Sequence, residues 1–282
     1  MATFYNQATL TYRGGVVNSN IVTAEQTDAL SVTKTSLLDT YSAGDRVTYT
    51  IGIVNSSAEA VTSIVLSDDL GAYEFGTGTV YPLTYVDGSF EVLIDGVPVL
   101  TPTVTSTSPL TISGISIPAG SDAVVVYSAD VTEFAPPAPN GVITTTVTVS
   151  GAGTPVTADE TITARSGAAL TITKSIDPQN VVGDGPLTYT FVIQNLGNEE
   201  ATAAENIVVS DIFDPILNIT SVTFNGTPLV ENTDYTYNDT TGSFATTAGR
   251  ITVPGATYEQ DPITGAYSVV PGSATLTVTG TI

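Results

Sequence analysis

An internal repeat constrains this chain more than any other feature. Leu30-Ser31-Val32-Thr33-Lys34 and Leu170-Thr171-Ile172-Thr173-Lys174 stand 140 residues apart, and between them they carry both lysines of the chain. The match continues beyond these stretches. Tyr49-Thr50 answers Tyr189-Thr190, Asn55 answers Asn195, and Ile64-Val65-Leu66-Ser67-Asp68 answers Ile207-Val208-Val209-Ser210-Asp211. A fixed period of this kind means two copies of one structural unit. Inside each copy, β-branched and aromatic residues alternate with polar ones, as in Val47-Thr48-Tyr49-Thr50-Ile51 and Ala274-Thr275-Leu276-Thr277-Val278. Such alternation predicts half-buried strands, with one face in a core and one in solvent. Turn pairs such as Asp95-Gly96 and Asn225-Gly226 divide the runs, and no segment has a helical period. The expected fold is all-β: two tandem β-sandwiches, 30–164 and 168–282, joined end to end by the short hinge Arg165-Ser166-Gly167.

The two copies do not end alike. The first continues past Val131 into Val142-Ile143-Thr144-Thr145-Thr146-Val147-Thr148-Val149, a further strand, whereas Ile282 falls at about Val131. The second sandwich is therefore expected to be incomplete. Residues 1–29 supply what it lacks. Phe4-Tyr5-Asn6-Gln7-Ala8-Thr9-Leu10 reads as a strand, with Asn6 at the position of Thr145, Ala8 at Val147 and Leu10 at Val149. The connector after it matches too, since Asn20-Ile21-Val22-Thr23-Ala24 answers Glu160-Thr161-Ile162-Thr163-Ala164. The order along the chain is a donor strand (Phe4, Asn6, Ala8, Leu10), a complete sandwich, and a sandwich without its last strand. An open sheet edge accepts an extended segment from another chain. A head-to-tail contact that does not close gives a filament. The expected partner is thus the chain itself.

The lysines gain a role in this arrangement. A lysine amine and an asparagine carboxamide condense to an isopeptide bond when buried together beside a carboxylic acid. Burial favours the neutral, nucleophilic amine and a protonated carboxyl that polarises the amide carbonyl. The second copy offers Lys174 and Asp211, and the donor strand offers Asn6, so the expected bond joins two subunits. The first copy offers Lys34 and Asp68, but Thr145 holds the amide position. Asn140 is then the remaining intramolecular partner for Lys34, or there is none. Asn55 and Asn195 read as turn residues, with a lesser reading as amide partners.

Composition narrows the function classes. A net charge of −22 argues against nucleic acid and anionic membranes as partners. No Cys and no His occur among the 282 residues, which removes disulfides, thiolate sites, imidazole proton shuttles and most zinc sites. An enzyme is not expected, and neither is a cofactor. Calcium at acidic loops is the remaining metal reading. Its candidates Asp39, Asp45, Asp184, Asp214 and Asp239 lack dense ligand spacing, so no metal residue is assigned. Met1-Ala2-Thr3-Phe4-Tyr5-Asn6 has no basic region followed by an apolar stretch. Either a leader has been removed, or the protein reaches its place without classical secretion.

The motifs Val32-Thr33-Lys34, Gly44-Asp45-Arg46-Val47-Thr48-Tyr49-Thr50-Ile51, Asn55 and Val65-Leu66-Ser67-Asp68 resemble the conserved-repeat, immunoglobulin-like domains of unknown function found in bacterial surface proteins. The last strand of that family usually reads Asn-x-Ala-Thr-Val. Asn6-Gln7-Ala8-Thr9-Leu10 is similar to it, and Thr145-Thr146-Val147-Thr148-Val149 departs at the first position. A two-repeat chain opening on such a strand further resembles clostridial spore-appendage proteins. The resemblance implies immunoglobulin-like sandwiches and a structural subunit of a fibre on a spore or cell surface, stapled by isopeptide bonds. The other reading it allows is a cell-wall or S-layer-type adhesin with only intramolecular bonds.

Overall fold

The computed structural model describes residues 2–26, 29–151 and 153–282. The chain is all-β, its one helical turn among the described residues being the 3-10 segment Ala203–Glu205. It divides into two compact units. The first comprises 1–74, 78–132 and 143–162, and the second 75–77, 133–142 and 163–282.

The first unit is an immunoglobulin-like sandwich of two sheets. In one, the strands run in the order Val97–Val99, Glu91–Ile94, Asp122–Val131, Arg46–Asn55, Leu30–Ser36. The other runs Thr103–Thr107, Leu110–Ile117, Val61–Asp68, Val142–Ser150, Val156–Ala164, Thr40–Tyr41. Side-chain alternation is strict where both faces differ. Val47, Tyr49, Ile51 and Ile53 point into the core from one sheet, and Ile64 and Leu66 from the other. The alternation read from the sequence is thus the alternation of the core.

The stretch read as a connector between the last strand and the hinge is itself a strand. Val156–Ala164 forms a hairpin with Val142–Ser150 and buries Ile162 and Ala164. The last element of this fold is therefore two-stranded. Its first limb lies on Val61–Asp68 with Val147 opposite Asp68 and Val149 opposite Leu66.

The second unit repeats this plan up to one edge. Leu170–Asp177, Pro186–Asn195, Gly272–Thr281, Asn218–Phe224 and Thr227–Pro228 make one sheet. Asn195 pairs with Gly272 and Pro186 with Thr281. The opposing sheet contains only Tyr235–Asn238, Ser243–Thr246 and Ser210–Ile212. Among the described residues, no strand pairs with the outer edge of Ser210–Ile212. The core consists of Phe191, Ile193, Val209, Phe213, Val222, Phe244, Leu276, Val278 and their neighbours.

Residues 2–26 form β1 (Ala2–Asn6), β2 (Thr9–Tyr12), β3 (Gly15–Asn18) and β4 (Val22–Gln26). Among the described residues these pair with one another alone: β1 with β4 and β2 with β3. The result is a two-limbed ribbon turning at Arg13-Gly14, both at positive φ (44° and 82°). That is the backbone of a two-residue turn matched to strand twist, and the glycine accommodates it without strain. Every side chain described from Thr3 to Ala24 is exposed, including Phe4, Tyr5, Leu10, Tyr12, Val16, Val17, Ile21 and Val22. A ribbon with this much apolar surface and no core of its own is marginal in water.

Candidate crosslinking site

Lys34 enters the core of the first unit from Leu30–Ser36, and Asp68 enters it from the end of Val61–Asp68. Lys34 Nζ donates to Asp68 Oδ2 at 2.5 Å, with both side chains at 0% exposure. It also donates to Thr145 Oγ1, on the first limb of the terminal hairpin. The structure therefore brings Lys34, Asp68 and Thr145 to one point. Asn140 sits elsewhere, exposed in a left-handed turn (φ 66°) ahead of Val142–Ser150.

The surroundings of this amine are aromatic and acidic. Tyr49 lies beneath it, with 4.8 Å from Nζ to the ring centroid. Tyr127 stacks on Tyr49 at 5.5 Å and donates its hydroxyl to Asp68 Oδ2 at 2.7 Å. Asp68 Oδ1 accepts the Leu70 N–H at 3.0 Å. Burial pushes the Lys34 amine below the ordinary lysine range, and Asp68, Asp69 and Glu160 pull it back only in part. Burial, with the Asp68 charge beside it, pushes the Tyr127 phenol up. This environment favours the neutral amine that nucleophilic attack requires, but the group facing it is a hydroxyl. Thr145 has no carbonyl to attack, so no amide forms between these two side chains.

The second unit presents the same pair in a different state. Lys174 Nζ donates to Asp211 Oδ2, but the lysine side chain is 40% exposed and the aspartate 20%. The Tyr189 ring lies 4.4 Å from Nζ, and Phe191 and Phe213 lie at 5.4 Å. Lys174 belongs to Leu170–Asp177, a strand whose inner face is open. Leu170 is 38% exposed where Leu30 is 4%, and Ile172 is 52% exposed. The cause is visible in the topology. The hairpin that covers the Lys34 strand has no counterpart over Lys174 among the described residues. Asn6, the sequence-matched partner of Thr145, lies exposed at the end of β1, opposite Val22 on β4. Phe4, Ala8 and Leu10 are exposed on the same ribbon.

Asn55 and Asn195 hold loops in both units. Asn55 Nδ2 donates to the carbonyls of Glu59 (2.8 Å), Ile117 (3.1 Å) and Pro118 (2.9 Å). Asn195 Nδ2 donates to Glu199 O at 2.7 Å, and its Oδ1 accepts from the Ala169 and Gly197 N–H groups. Both buried amides are spent on holding these loops, Asn55 Oδ1 accepting from Ser57 N and Ser57 Oγ. Sequence reasoning overlooked Tyr127 and Glu160. Glu160 Oε1 accepts from Ser36 N (3.0 Å) and Ser36 Oγ (2.6 Å), tying the second limb of the hairpin to the lysine strand. Tyr127 carries no repeat signal, because its counterpart in the second unit is Val278. Among the described residues, no three acidic side chains converge as a metal site would require, and no helix is long and apolar enough to cross a membrane.

No protein-family model matches the chain, and no curated protein matches it. Among solved structures it is similar to the pilus backbone protein RrgB of Streptococcus pneumoniae, at 12% identity and TM-score 0.33, over 86% of this chain and 55% of that one. The chain thus spans about half the length of that protein. It is similar to BcpA, the major pilin subunit of Bacillus cereus, at 12% identity and TM-score 0.37, over 96% and 73% of the two chains. It is also similar to the collagen-binding domain of a Staphylococcus aureus adhesin, at 10% identity and TM-score 0.32, over 49% and 99%. At these identities and TM-scores, what the chain does must be argued from its own residues.

Proposed function

We propose that the chain is the structural subunit of a fibre on a cell or spore surface, polymerising head to tail by strand donation. The strand Phe4–Leu10 of one subunit adds to the open edge of Ser210–Ile212 in the next. One observation carries this reading: the same lysine–aspartate pair is fully covered in the first unit and open in the second, while a ribbon matching the cover lies exposed. The register follows from the first unit, where Val147 faces Asp68. Ala8 then faces Asp211 and Leu10 faces Val209, with Phe4, Asn6, Ala8 and Leu10 pointing inward. Asn6 arrives where Thr145 meets Lys34.

Burial completes the chemistry. Lys174 Nζ, once neutral, attacks the carboxamide carbon of Asn6. Asp211, as the acid, hydrogen-bonds the carbonyl oxygen and relays the proton lost by the amine to the departing nitrogen. The new C–N bond forms, the old one breaks, and ammonia leaves. The product is an amide between subunits, in a chain that has no thiol for a disulfide. The spore surface is the location that the resemblance to spore-appendage proteins favours.

Denaturing electrophoresis of assembled protein tests this. A boil-resistant ladder is expected, and deletion of residues 1–12 abolishes both ladder and fibres. Fibres that still form without residues 1–12 rule out strand donation.

A further inference from the structure

Resting on the strand-donation reading above, we propose that the donor is the whole two-limbed hairpin of residues 2–26 of a second copy. Its second limb walls in the Lys174–Asp211 pair through Asn20, Val22 and Ala24. In the first unit, the strand next to the lysine's hydroxyl partner is not an accessory. Val156–Ala164 lies between Val142–Ser150 and Thr40–Tyr41 in the sheet. It buries Ile162 and Ala164, and Glu160 clasps Ser36, two residues from Lys34. Val22 and Ala24 stand at the positions of Ile162 and Ala164 in the repeat, and Asn20 stands at Glu160. Both limbs are already paired, with Phe4 opposite Ala24 and Asn6 opposite Val22; the first unit pairs two residues along, with Ala164 on Gly141 and Thr145 beside Glu160, and β4 takes that register on donation. A single strand would satisfy the edge of Ser210–Ile212 but would present a fresh edge and leave the β4 positions of the wall unfilled. A two-limbed donor in the register of the first unit fills both, and its outer limb meets Asn180-Val181, the residues matching Thr40-Tyr41.

The substitutions along this wall are not random with respect to the amine. Three carboxylates bear on Lys34: Asp68, Asp69 and Glu160. At the composite site their counterparts are Asp211, Ile212 and Asn20. Only the aspartate needed as the acid is kept. The clasp is dismantled on both sides, since Ser36 corresponds to Ile176. Removing two anions from beside an amine reduces what holds it in the charged form. The first unit keeps all three carboxylates, and its lysine faces a hydroxyl. The composite site keeps one, and its lysine faces an amide.

Three full-length variants separate this inference from the strand-donation reading. Val22→Asp places a charge on the inward face of β4, Thr23→Asp places one on its outward face, and Leu10→Asp places one on the inward face of the first limb. All three positions are exposed in the single subunit, so its melting temperature stays at the wild-type value. Leu10→Asp abolishes the ladder. Val22→Asp lowers the initial rate of ladder formation at least tenfold, and Thr23→Asp leaves it within twofold. If Val22→Asp matches wild type while Leu10→Asp abolishes the ladder, one strand suffices and the hairpin inference is overturned. If Leu10→Asp also matches wild type, strand donation itself fails, and the inference fails with it.

Discussion

Lys34 Nζ and Asp68 Oδ2 lie 2.5 Å apart inside the first unit, with neither side chain reaching solvent. Their counterparts Lys174 and Asp211 make the same contact in the open. The repeat thus carries an internal control, one residue pair at two levels of burial, and the contrast separates what the pair contributes to stability from what it contributes to assembly.

Truncating the acid should cost the two units very different amounts. Asp68→Ala leaves a buried amine without its carboxylate and strands the Tyr127 hydroxyl, a loss of about 3–5 kcal/mol. Asp211→Ala in the single subunit removes a partly exposed pair and costs about 0–1 kcal/mol. Chemical denaturation of the two purified variants measures both. Equal losses would show that exposure does not separate the two sites.

Thr145→Asn should complete a site that is otherwise assembled in the first unit. It replaces the hydroxyl touching the Lys34 amine with a carboxamide, while Asp68 and Tyr127 stay in place. The expected product is an intramolecular amide, seen in intact mass as the loss of one ammonia. Adding Asp68→Ala prevents it. A folded Thr145→Asn protein of full mass would show that an amine, an acid and an amide in this geometry are insufficient.

The buried lysine also sets a pH dependence. Its amine is held below the ordinary value of 10.5, so between its folded pKa and 10.5 the unfolded chain binds more protons than the folded one. Stability from this group therefore rises with pH across that window. Tyr127 acts in the opposite sense. Its phenol is raised above 10.0, so above that pH the unfolded chain loses the proton first and stability falls. Relative to Lys34→Met, the wild-type melting temperature should gain as pH climbs toward 10. A constant difference across that range would remove the titration from the account.

Asn20→Glu should restore to the composite site the carboxylate that Glu160 provides in the first unit. An added anion beside an amine favours its ammonium form. Ladder formation by this variant should be slower than wild type at neutral pH and recover as pH is raised. A rate equal to wild type at every pH would place residue 20 away from the amine.

Much of the fold was legible because strand alternation and core alternation are one pattern. Val47, Tyr49 and Ile51 alternate with threonines in the sequence and all three point into the core. The repeat also pointed to Lys34, Asp68 and Thr145, which lie on different strands yet meet, because a sandwich brings its two inner faces together. Val156–Ala164 escaped notice as a strand because only Ile162 and Ala164 in it are fully buried, so its period is faint. Tyr127 escaped because the role of its hydroxyl depends on a cross-sheet contact with Asp68, which local sequence does not encode. The hairpin of residues 2–26 read as one strand for a related reason: a ribbon whose described side chains are all exposed shows no buried face to mark its second limb.

Peptide mass spectrometry of the boil-resistant ladder tests the central claim most directly. The account predicts a branched peptide in which Lys174 of one subunit is joined to Asn6 of another, lighter than its two parts by one ammonia, and absent from the Lys174→Ala and Asn6→Ala proteins. A ladder whose digests contain only unmodified Lys174 and Asn6 peptides, or links between other residues, would contradict it.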